Sequence, residues 1–145
     1  MGNVNTKSNE RASYFREARN NRFFEIAEDY TELIADLIEV QGHARVCDIA
    51  KAMGISHVSV LKTVKRLIRD GYLAKTFDRQ IELTSEGKRT ASFSKRKHHI
   101  LSAFLRKLGV PEHVVAADVE GIEHHISLTT LNAIVAHMQE WPQEG

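Results

Sequence analysis

The run Glu120-Gly121-Ile122-Glu123-His124-His125 sets two carboxylates and an imidazole three and four residues apart. Side chains at that spacing share one face of a helix, so Glu120, Glu123 and His124 can converge on a single point. Oxygen and nitrogen donors of this kind suit a divalent cation. Far upstream, Asp29 and Glu32 repeat the three-residue spacing in an otherwise apolar-periodic stretch. One carboxylate on a helix face is more often simply solvated; the weight rests on two carboxylate-bearing helices plus an imidazole, a set only a fold could assemble. His125 faces elsewhere and is expected to pack or support, while His43, His113 and His137 have no metal role. The single Cys47 excludes an internal disulfide and a cysteine-built zinc site. No enzyme is expected, because an HExxH pair, a nucleophile constellation and a Gly-rich phosphate loop are all missing.

Two helices must carry these groups. From Phe23, apolar residues recur at three and four residue steps through Ala27, Tyr30, Leu33, Ile34, Leu37 and Ile38 until Gly42, which predicts a long helix holding Asp29 and Glu32. Residues 1–21 ahead of it are polar, with a weak apolar pattern at Tyr14 and Phe15, and are expected to form a mobile arm, with room for a short helix. Thr84 or Ser85 caps a helix to about Leu108. Pro111 starts another with the ligand cluster at its end, and Ser127 caps a last one that runs to Trp141, where Pro142 ends it.

Between the two ligand regions, a short helix near Val46 to Met53 stops at Gly54 and a second runs from about Ser56 to Asp70. Ile49, Ala50, Met53, Ile55, Val60, Val64 and Leu67 supply a small shared core, the pattern of a helix-turn-helix. The alternating stretch after Gly71 turns at Asp78-Arg79 and reads as a two-stranded wing. Charge agrees: residues 43–97 hold thirteen basic and five acidic side chains (+8), against −3 for residues 1–42 and −4 for 98–145, although the whole chain is only +1. A basic middle suits DNA phosphates; a solvated basic face is the bland alternative. On the second helix, Ser56, His57, Ser59, Lys62 and Thr63 are placed to meet base edges, while Lys65, Arg66 and Arg69, with Lys75 and Arg79 of the wing, suit phosphates.

Several separated motifs together resemble the diphtheria-toxin-repressor family of metal-dependent repressors, specifically its short manganese-transport-regulator branch. They are Glu28-Asp29-Tyr30-x-Glu32, Ala44-Arg45-Val46-x-Asp48-Ile49-Ala50, Leu83-Thr84-x-x-Gly87, Lys97-His98 before Leu101, and Asp118-Val119 leading into the Glu120 run. The resemblance covers roughly residues 23–140. It implies that Asp29, Glu32, His98, Glu120, Glu123 and His124 hold Mn(II), two ions per subunit, with bridging carboxylates. Spacing alone does not choose between His98 and His99; the register of the resemblance favours His98. The iron-sensing branch carries Met and Cys at the positions of Asp29 and Glu120, and hard oxygen ligands in their place suit Mn(II). Fe(II), Co(II), Cd(II) and Zn(II) are expected substitutes, since the same donors bind the later divalents more tightly.

The expected architecture is mainly α: an arm over 1–21, a winged helix-turn-helix DNA-binding domain over 22–92, and an all-helical metal-binding and dimerisation domain over 93–145. A cation held by both halves would order a homodimer whose recognition helices lie roughly 34 Å apart on a palindromic operator. At 42% hydrophobic and 27% charged residues, with no run near the ~18 apolar residues of a membrane span and no signal peptide, a cytoplasmic protein is expected, with no membrane partner and no small organic substrate. The alternative is a winged-helix regulator that answers to iron, another divalent metal or a small organic ligand.

Overall fold

The computed structural model describes residues 3–140, excepting the side chains of residues 3–5, 20 and 21. Helix α1 is a single element, Asn3–Gln41. The mobile arm expected over residues 1–21 is instead helical from Asn3 and continuous with the ligand-bearing helix. The physical reason is local. No Pro or Gly interrupts residues 3–41, and Arg, Glu, Lys and Ala tolerate the helix well even without a core to pack on. Every described side chain from Thr6 to Arg19 is exposed.

The helix-turn-helix follows as α2 (Val46–Met53) and α3 (His57–Arg69). Gly54 takes the left-handed conformation at φ 68°, which lets the turn reverse sharply, and the Gly54 and Ile55 amides both donate to the Ala50 carbonyl. The Arg45 amide donates to Asp48 Oδ2 at 3.0 Å at the start of α2. Strands β1 (Leu73–Lys75) and β2 (Ile81–Leu83) pair antiparallel with Leu73 opposite Leu83. The wing turn is closed by Thr76, whose amide donates to the Gln80 carbonyl (2.8 Å) and whose hydroxyl donates to Asp78 Oδ1 (2.7 Å).

Thr84 caps α4 (Ser85–Lys107) by accepting from the Gly87 amide at 3.1 Å, and its hydroxyl reaches the Gly71 and Tyr72 carbonyls. Here α4 crosses the wing closely: a Cβ on Gly87 would lie 2.1 Å from the Tyr72 carbonyl oxygen. Helices α5 (Glu112–Ile122) and α6 (Leu128–Glu140) complete the described chain; the expected end of the last helix at Trp141 and Pro142 lies outside the described residues.

Two apolar clusters result. One gathers Ala27, Tyr30 and Ile34 of α1 with Ile49, Val60, Val64, Leu67, Leu73 and Ile81. The other joins Leu101, Val115, Val119 and Leu131 of the last three helices. Between them α1 packs along α4, so α1 gives one flank to the first cluster and lays Glu28, Asp29, Glu32 and Asp36 toward α4 and α5. None of the described helices is long and apolar enough to cross a membrane.

Candidate metal centre and recognition helix

A cleft of about 210 Å³ lies where α1, α4 and α5 meet, lined by Asp29, Glu32 and Asp36 of α1, His98 of α4, and Glu120 and Glu123 from the end of α5. One donor atom each from His98, Glu120 and Glu123 falls within 4.8 Å of the others. His98 Nδ1 is 2.8 Å from Glu123 Oε2. His124 Nε2 lies 3.1 Å from Asp29 Oδ1 and 3.6 Å from Glu123 Oε1. Glu32 Oε2 accepts from the Ser94 hydroxyl at 2.7 Å. All six residues singled out from sequence therefore sit in or against one cleft. Helix α5 ends one residue earlier than the spacing suggests: Glu123 is its C-cap, and His124 stands in the turn beyond. His125 turns away toward Glu25, 3.9 Å from its carboxylate.

Carboxylates crowded this closely resist ionisation. Burial pushes the Asp29 carboxyl above its ordinary value; His124 opposes the rise, and Glu25, Glu120 and Glu28 add to it. Burial also raises Glu123, against the lowering effect of its hydrogen bond with His98. Such a site is short of positive charge.

Sequence reasoning assigned no role to the layer behind these groups. Glu28 is 1% exposed and pairs with the equally buried Lys97, Nζ to Oε2 at 2.5 Å, an ion pair lying outside the geometry of a directed hydrogen bond. Glu28 Oε1 and His124 Nδ1 are buried without a hydrogen-bond partner and face one another at 3.9 Å. Lys95 pairs with Asp36 at 2.6 Å. The signal was present in that Glu28 precedes Asp29 and Lys97 precedes His98. What the pattern of α1 does not reveal is that α4 covers its second flank and buries them. The donor set nonetheless fits a divalent ion: carboxylate and imidazole only, and one imidazole held with its far nitrogen toward a second-layer carboxylate.

Of the residues expected to meet DNA, His57, Lys62, Lys65, Arg69, Lys75 and Arg79 are exposed and Thr63 is half-buried. Ser56 and Ser59 are occupied locally, since Ser56 Oγ accepts the Ser59 amide and donates to or accepts from its hydroxyl at 3.0 Å. The Arg66 guanidinium stands over the Phe23 ring of α1, 3.9 Å from the ring centre. The sequence reading passed over Val58, 75% exposed on α3, and Phe77, fully exposed at the wing tip.

Residues 22–80 match the iron dependent repressor, N-terminal DNA binding domain, and residues 84–143 match the iron dependent repressor, metal binding and dimerisation domain. The chain is 40% identical over 126 residues to the transcriptional regulator MntR of Salmonella typhimurium, covering 87% of this chain and 80% of that one. It is 45% identical over 107 residues to the HTH-type transcriptional regulator MntR of Bacillus subtilis, covering 74% and 75%. Among solved structures it is similar to a manganese-dependent transcriptional repressor in complex with manganese (TM-score 0.69, 27% identity, 81% of this chain and 54% of that chain). It is also similar to the manganese regulator SloR (TM-score 0.68, 25% identity, 78% and 53%). The chain spans about half the length of these two solved regulators.

Proposed function

Because this chain belongs to the iron dependent repressor family, whose members are DNA-binding regulators and not enzymes, we propose that it is a manganese-responsive transcriptional repressor of manganese-uptake genes. The observation that carries the reading is the meeting of Asp29 from α1 with His124 and Glu123 from the end of α5. Asp29, Glu32, His98, Glu120, Glu123 and His124 would hold the metal, two ions per subunit in the fullest form, with Fe(II), Co(II), Cd(II) or Zn(II) as chemically similar substitutes. Bound Mn(II) supplies the positive charge that lets these carboxylates ionise together and ties donors of α1 to donors of α4 and α5.

The remaining work falls to the chain itself. Asp29 and Glu32 stand on the helix that also builds the core under α3, so fixing them against α4 and α5 fixes the recognition helix. Residues 22–92 then act as the DNA-reading half and 93–145 as the metal-binding and dimerising half. A cleft between α4 and α6 in which Ile100, Ala103, Val135 and Met138 lie beside the polar His99, Lys107 and Gln139 supports a homodimer through the last helices. Two copies of α3 would then address a palindromic operator in double-stranded DNA, in the cytoplasm. Metal and DNA would strengthen each other by the same factor, typically about 5- to 150-fold.

The test is an Mn(II) titration of metal-stripped protein against DNA from upstream of its own gene and of nearby transporter genes. Stoichiometric binding that switches on a sequence-specific shift is expected. Operator binding indifferent to Mn(II) would leave a regulator with another effector.

A further inference from the structure

The exposed first half of α1 carries a segregated charge pattern. Residues 7–22 hold five basic side chains and two acidic ones. Arg11, Phe15, Arg19 and Arg22 follow steps of four, four and three, which place them on one face of the helix. Glu10 and Glu17, a seven-residue step apart, lie together on another face with Tyr14 between them. Phe15 is 68% exposed, and Arg11, Arg19 and Arg22 have no ion-pair partner among the described residues. A helix that packs on nothing has no structural need to sort its charges.

The position of this stripe is as informative as its sign. Arg19 stands one turn before Phe23 on the same face, and the Phe23 ring carries the Arg66 guanidinium of α3 at 3.9 Å. The stripe therefore runs directly into the basic side of the recognition helix. From Asn3 to Arg22 the extension is roughly 30 Å long at 1.5 Å per residue, close to one turn of DNA.

We propose that the first half of α1 is a second DNA-binding element, in which Arg11, Arg19 and Arg22 line the phosphate backbone beside the segment read by α3, with Phe15 covering their stems. This rests on the DNA-binding reading above. It adds a sequence-independent contribution, because phosphate contacts position a protein without reading bases.

The experiment uses the full chain, loaded with Mn(II), and two probes: a random-sequence duplex of about 40 base pairs, several helical turns long, and a duplex from upstream of its own gene. Arg11→Gln, Arg19→Gln and Arg22→Gln are combined, and log affinity is measured against log salt. The slope should become shallower by about one unit per arginine, with at least about tenfold weaker binding at low salt. The preference for the upstream duplex over the random one should stay constant. Glu10→Gln with Glu17→Gln, on the other face, should not make the slope shallower. Because Gln could alter helix content, the triple Arg→Lys variant serves as the second arm and should keep the wild-type slope. An unchanged slope in the Gln variant overturns the proposal. So does loss of the dimer in sedimentation with the slope intact, which would assign the stripe to a second copy of the chain. Wild-type protein that binds neither duplex overturns the DNA-binding reading itself, and this inference with it.

Discussion

Glu28 Oε1 lies 3.9 Å from Nδ1 of His124, while Asp29 Oδ1 lies 3.1 Å from Nε2 of the same ring. One imidazole thus has a second-layer carboxylate on one side and a cleft carboxylate on the other. A carboxylate that holds the Nδ1 proton leaves the Nε2 lone pair free to bind a cation, and it fixes the ring orientation as well. The observed separation is beyond a hydrogen bond, so less than about 1 Å of closure completes the relay.

Glu28→Gln, made together with Lys97→Met so that neither charge of the buried pair is stranded, should therefore weaken Mn(II) binding by about 10- to 100-fold relative to Lys97→Met alone. Calorimetry on metal-stripped protein measures this directly, and an affinity equal to that of Lys97→Met would take Glu28 out of the site.

Lys97→Met should be costly to the fold in a way that a surface lysine is not. Its ammonium is buried against the Glu28 carboxylate, and removing one partner of such a pair typically costs about 3–5 kcal/mol by stranding the other. Urea denaturation of the metal-free protein reads the loss. A shift no larger than that of Lys62→Met, on the exposed face of α3, would count against it.

Asp29→Met should move metal preference away from Mn(II) toward softer divalents, since a thioether replaces a hard oxygen. Gel shifts across Mn(II), Fe(II), Co(II) and Zn(II) would show a changed ranking, and the same ranking as wild type would contradict the ligand role. Glu123→Ala, which removes the carboxylate between His98 and His124, should abolish the Mn(II) response altogether.

Acid should act in opposite directions on the two forms of the protein. Burial raises the Asp29 and Glu123 carboxyls, so in the metal-free fold both keep their protons to higher pH than in the unfolded chain. Across that window the folded state binds more protons, and its stability falls as pH rises from the ordinary carboxylate range. Metal-free Glu123→Gln should consequently gain in melting temperature relative to wild type as pH rises above the ordinary carboxylate range. Mn(II) affinity of the wild type should fall as pH drops, because the cation needs the ionised forms. A difference between variant and wild type that does not change with pH would show that Glu123 ionises freely.

Gly87→Ala tests the joint between wing and α4. The added methyl would sit 2.1 Å from the Tyr72 backbone oxygen, so one element must move. Overpacking of this kind costs about 1–3 kcal/mol. The same helix carries His98, so Mn(II) affinity should drop with it, and an unchanged denaturation midpoint would show that the joint is compliant.

Periodicity and punctuation made most of the architecture readable in advance. Gly54 marked the turn between α2 and α3, and Thr84 marked the start of α4, because turn and cap chemistry are local. The six cleft residues were readable because Glu120, Glu123 and His124 are close in sequence and Asp29 repeats their spacing with Glu32; His98 needed the family resemblance. Glu28 and Lys97 stand beside Asp29 and His98 in the sequence, but nothing in their spacing marks them as a buried pair. Their meaning depends on α4 covering α1, a contact between distant segments. Residues 3–21 misled for a different reason: polarity argues against a core, but it does not argue against a helix when nothing breaks the backbone.

That continuity has a mechanical side. Helix α1 runs unbroken from Asn3 to Gln41, so Asp29 and the arginines of the extension ride on one rod. The far end is about 39 Å from Asp29 at 1.5 Å per residue, and a tilt of about 5° at the cleft sweeps it through roughly 3 Å. That exceeds the 1–2 Å helix shifts typical of switching proteins. A tilt of α1 at Asp29 would reach the extension without any relay of side chains in between.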